Sequence, residues 1–72
     1  MQGRKQFSLK ESAEIQEILA KKSTAERGAQ KQLRGKLRKT YQFYITDFST
    51  SYDGFTDEDF RRLIDQGQIT VI

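Results

Sequence analysis

YQFYITDF, residues 41–48, is the stretch on which the fold turns. Its aromatic and β-branched residues suit a pleated, half-buried surface better than a helix. Side chains alternate across a strand, so Tyr41, Phe43 and Ile45 share one face. Gln42, Tyr44, Thr46 and Phe48 share the other. Both faces carry aromatics, which predicts a central strand covered on each side.

Downstream, STSYDG (49–54) is loop by composition. Thr56 is placed to cap a helix whose first turn, Asp57, Glu58 and Asp59, complements the helix dipole. Phe55 and Phe60 stand at the hydrophobic-staple positions. Phe60, Leu63 and Ile64 form the buried face, and Gly67 suits the left-handed residue that ends a helix. Ile69–Ile72 then reads as a short apolar strand. The 41–72 segment is therefore predicted as β-α-β, its strands parallel through a right-handed crossover.

Upstream, Ser8 and Glu11 form an S-x-x-E capping box that starts a helix near Leu9. Ile15, Ile18 and Leu19 mark its apolar stripe, widened by Leu9 and Ala13. Glu17 and Lys21 make an i,i+4 pair, and Lys21 and Lys22 close the helix at its negative end. Ser23 and Glu26 repeat the capping box, so a second helix is predicted from about Thr24 to Lys39. Ala25, Ala29, Leu33 and Leu37 recur every four residues as its inner stripe. Two helices joined so closely form a hairpin or a corner. A further strand is read at Arg4–Phe7. The expectation is a single α+β domain over residues 1–72, in the order α-α-β-α-β: a helical hairpin on a two- or three-stranded sheet.

The chain has 72 residues with no Cys and no His. Disulfides, the common zinc sites and Cys- or His-based catalysis are thereby excluded. The chain has no apolar run near the ~20 residues of a membrane span. MQGRKQFSLK, at the start, lacks the apolar middle of a signal peptide. A cytoplasmic protein with no membrane partner is expected. Net charge is +3, but it is divided. Residues 1–40 hold eleven Lys and Arg against four Glu, whereas residues 41–72 hold two Arg against six acids.

The basic charge concentrates in the second helix. At roughly 100° per residue, Arg27, Lys31, Arg34 and Arg38 fall within a sector about 60° wide, nearly opposite the apolar stripe. Lys36 and Lys39 add charge on the flanks. Such a ridge suits a run of phosphates, with Thr24, Gln30 and Gln32 offering neutral hydrogen bonds. Two other readings stand beside it: an ordinary solvated helix face, or a surface for an acidic protein partner. Gly28 and Gly35 lie two turns apart, between ridge and stripe. Either another backbone approaches them closely, or they leave the helix weakly held, and Gly35 could end it early.

Other constellations carry less. Asp47, Ser49, Ser51 and Glu58 match a calcium-loop spacing, but Tyr52 stands where the sharp turn needs glycine. Asp47, Asp53 and Asp59 have no base, nucleophile or phosphate loop beside them, so no enzyme and no cofactor are expected. The aromatics Tyr41, Phe43, Tyr44 and Phe48 suit core packing more than base stacking. The two-helix start has the outline of a helix-turn-helix, a generic one. The sequence thus ranks first a non-enzymatic module that contacts DNA or RNA through Arg27, Lys31, Arg34, Arg38, Lys36 and Lys39. Ranked second is a protein-interaction or self-assembly module. It would use the basic helix, or the terminal strand pairing with a second copy.

Overall fold

The computed structural model describes residues 3–49 and 54–72. Strand β1 (Gln6–Phe7) leads into α1 (Leu9–Thr24) and α2 (Arg27–Tyr41). A 3-10 turn at Ile45–Asp47, then α3 (Asp57–Asp65) and β2 (Thr70–Val71), complete the chain. β1 and β2 pair in parallel, Gln6 beside Thr70 and Phe7 beside Val71. The fold is thus mostly helical, three helices with a two-stranded parallel sheet, and falls in the expected α+β class.

Residues 41–48 are not a strand. Tyr41 is the last residue of α2, because it continues the four-residue spacing from Leu33 and Leu37 and is buried there. Gln42 turns left-handed (φ 54°), and the N–H groups of Gln42 and Phe43 donate back to the Arg38 and Leu37 carbonyls. Further on, Asp47 and Phe48 donate to Tyr44 and Ile45. Backbone donors that a sheet would have used are satisfied locally. The alternation itself was sound: Tyr41, Phe43 and Ile45 are all buried. A bent segment aims those side chains inward as well as a strand does, so the pattern alone did not specify the backbone.

The sheet partner comes instead from the N-terminal segment. Thr70 N–H donates to the Lys5 carbonyl at 2.8 Å, and Ile72 N–H to the Phe7 carbonyl at 2.9 Å. The terminal strand is parallel to its partner as expected, but the β-α-β crossover from residues 41–48 does not form, and all three helices lie in the connection from β1 to β2.

The capping box of Ser8 with Glu11 forms and Thr56 caps α3, both as expected, and Asp59 completes a second box with Thr56. Gly67 (φ 77°) ends α3, its N–H donating to Ile64 while Gln68 N–H donates to Leu63. These bonds make a Schellman closure. The box at Ser23 does not form. Ser23 and Thr24 hydroxyls donate to the Ala20 and Lys21 carbonyls, satisfying the last turn of α1. Extended backbone at Ala25 and Glu26 separates the helices, and α2 begins only at Arg27.

The core draws on both halves of the chain. Phe7, Ile15 and Leu19 meet Leu37, Phe43, Phe60 and Ile69 in one cluster. Phe43 is its hub, with ring centroids 5.4–6.1 Å from Phe7, Phe48, Phe55 and Phe60. Two expected stripe members of α1, Leu9 and Ala13, are exposed, and so is Ala29 of α2. Lys22 takes a core position in their place, 1% exposed. It lies four residues after Ile18 and seven after Ile15, on the face those residues bury. That spacing was readable, but its charge assigned it to the helix end instead.

Candidate nucleic-acid interface

α2 carries six cations and no acid. Its last two turns are held by Leu37 and Tyr41, while in its first two Leu33 packs on the core edge and Arg27, Gly28, Ala29, Lys31 and Gln32 are exposed. Arg27, Lys31, Lys36, Arg38 and Lys39 are exposed and Arg34 is half-buried. Arg34 is engaged within the chain, whereas the five exposed cations make no ion pair among the described residues.

Four acids are paired elsewhere. In α3, Asp57 pairs with Arg61 at 3.0 Å and Asp59 with Arg62 at 3.6 Å. In α1, Glu17 pairs with Lys21, and Glu11 takes both guanidinium nitrogens of Arg4 at 2.9 Å. Arg4 holds the Glu11 carboxyl down to about 2, helped by the Ser8 N–H. Burial pushes the Tyr41 hydroxyl up, and Glu14, Glu11 and Glu17 add to that effect. These contacts set α1 carboxylates beside Tyr41.

Three of the candidates meet around one groove. Lys31, Arg34 and Arg38 line a depression of about 200 Å³ together with Leu37, Phe43 and Ile45. The expected opposition of ridge and stripe therefore fails at this end of the helix. A four-residue spacing drifts by roughly 40° per step, so the stripe winds toward the ridge and Leu37 comes within about 60° of Arg34. Arg27, Lys36 and Lys39 lie outside the groove. The apolar floor was missed because two of its members, Phe43 and Ile45, come from the segment read as a strand.

The glycines gain no explanation from packing. A Cβ at Gly28 or Gly35 meets nothing within 4 Å, and α2 runs through both. No backbone of the described chain approaches them. Arg27 is also locally unfavourable, a cation at the positive end of the helix dipole with no acid in that turn. Glu26, the N-cap, supplies no side-chain bond to the helix.

Other candidates have structural uses. Asp47 accepts the Gly3 N–H at 2.9 Å, and Asp59 closes its capping box. Ser51 and Asp53, on which the calcium-loop and carboxylate readings partly rest, lie outside the described residues, as do Thr50 and Tyr52. Among the described residues no three acids group to hold a metal ion. Tyr41 and Phe43 are buried, Phe48 stacks on Phe43 at 5.8 Å, and Tyr44 is half-buried, so these aromatics serve the core rather than an open stacking platform. No helix among the described residues is long and apolar enough to cross a membrane. Comparison with known protein families, curated proteins and solved structures found no match to this chain.

Proposed function

We propose that this chain is a small non-enzymatic binding module that contacts nucleic acid through α2. Arg27, Lys31, Arg34 and Arg38 neutralise phosphates, and Lys36 and Lys39 add to the field. One observation carries the reading: α2 holds six cations without an acid, and the ion pairs of Glu11, Glu17, Asp57 and Asp59 are all made with Arg4 or within α1 and α3. An ordinary solvated face intersperses both signs, and this one does not. The unfavourable residues at its exposed start, Arg27 and Gly28, are further support, since rules broken locally concentrate where a protein works. The proposal places the module in the cytoplasm, with no metal and no cofactor.

Fluorescence titration against labelled single- and double-stranded DNA and RNA tests this. Non-specific Kd values of about 1–100 µM are expected near physiological salt, tightening as salt is lowered. Replacing Arg27, Lys31 and Arg38 by Ala should weaken binding about tenfold or more at low salt. Absence of binding to all four probes at low salt contradicts the proposal.

A second reading has its own observation. Leu9 is 74% and Ile72 68% exposed, and Leu9 N–H donates to the Ile72 carbonyl, so two apolar side chains flank the end of β2. Such an edge suits self-assembly or strand addition. Sedimentation at several concentrations separates the two readings: a concentration-dependent dimer that Ile72→Lys abolishes favours assembly.

A further inference from the structure

The groove beside the cations refines the partner, resting on the nucleic-acid reading above. We propose that α2 prefers single-stranded to duplex nucleic acid, because one unstacked base lies over the groove lined by Lys31, Arg34, Leu37, Arg38, Phe43 and Ile45.

A duplex presents phosphates and sugars to a helix face, and its bases stay stacked inside. It can satisfy Lys31 and Arg38 but offers nothing to the hollow between them. A single strand offers the same phosphates together with a free π-face. The groove has both kinds of partner. Its wall carries guanidinium groups, whose planes stack on bases, and its floor is the Leu37, Phe43 and Ile45 edge of the core. Leu37, Phe43 and Ile45 are themselves buried, so the floor offers a base almost no open surface. A base therefore lies over it, against Arg38, rather than penetrating the core. Cations and hollow belong to one short stretch, Lys31 to Ile45, so one nucleotide reaches both. Little sequence preference is expected, since every base has a π-face.

The test uses the whole chain and three ten-residue probes at one salt concentration: a single strand, its duplex, and a strand with abasic positions that keeps every phosphate. The single strand is expected to bind roughly tenfold tighter than either of the others, the size of one base stack. Arg38→Lys keeps the charge and removes the plane. It should weaken the single strand severalfold and leave the abasic strand unchanged. Methyl NMR signals of Leu37 and Ile45 should shift with the single strand and not with the duplex. Equal affinity for single, abasic and duplex probes overturns this inference while leaving the phosphate contact intact. Failure of all three to bind overturns both. Binding of an acidic peptide in the groove, with no response to any nucleic acid, would instead assign the surface to a protein partner.

Discussion

Phe43 and Gly3 show how much single residues do in so small a chain. Phe43 is fully buried and touches four other phenylalanine rings. Its replacement by Ala should cost about 3–5 kcal/mol. Stability for a chain of this size is only about 4–10 kcal/mol, so a thermal melt should show a large fall in the midpoint for this variant. Gly3 sits where the N-terminal segment crosses the bend after α2. A Cβ there would press on the Gln42 carbonyl and lie 2.5 Å from Tyr44 Cδ2. Gly3→Ala should therefore destabilise by about 1–3 kcal/mol in denaturant titration. Glu11 joins Arg4, Ser8 and the start of α1. Its carboxyl falls from an ordinary 4.5 to about 2 on folding. A depressed carboxylate stabilises the fold fully above its unfolded pKa, and that contribution is lost as pH falls through the folded value. The melting temperature should decline between pH 4.5 and about 2, and Glu11→Gln should flatten the decline over that window.

Among the elements, α2 is the one whose sequence the fold explains least. Gly28 and Gly35 cost the helix roughly 1 kcal/mol each against Ala and have no internal neighbour to require them. Gly28→Ala and Gly35→Ala should each stabilise by about 0.5–1 kcal/mol in urea unfolding. A destabilising result would mean that the helix needs those glycines for a contact the described residues do not make. Helix boundaries were legible in the sequence wherever one local motif decided them, as at the starts after Ser8 and Thr56 and the end at Gly67. Ser23 misled because its hydroxyl had two uses, and capping the next helix lost to the nearer carbonyl of Ala20. Residues 41–48 misled for a broader reason. Their alternation recorded which side chains go inward, and a helix end followed by a 3-10 turn meets that demand as well as a strand does. The cations of the site were readable by residue type and spacing. The groove was not, because Leu37 is brought against Phe43 and Ile45 only by the turn at Gln42.

For the molecule as a whole, the arrangement of charge matters more than the net +3. The two halves share one core, yet Asp57 and Asp59 pair within α3, and no described acid forms an ion pair with the exposed cations of α2. The basic surface is left open to an outside anion, and binding to it must release counterions. The dependence of log Kobs on log salt measures this directly, for the native chain and for the variant with Ala at positions 27, 31 and 38. Four to six phosphates neutralised give a slope of roughly −3 to −5, and removal of three cations should make it shallower by about 2 to 3. A native slope near zero, or one that the three substitutions leave unchanged, would mean that α2 is not where the anion binds.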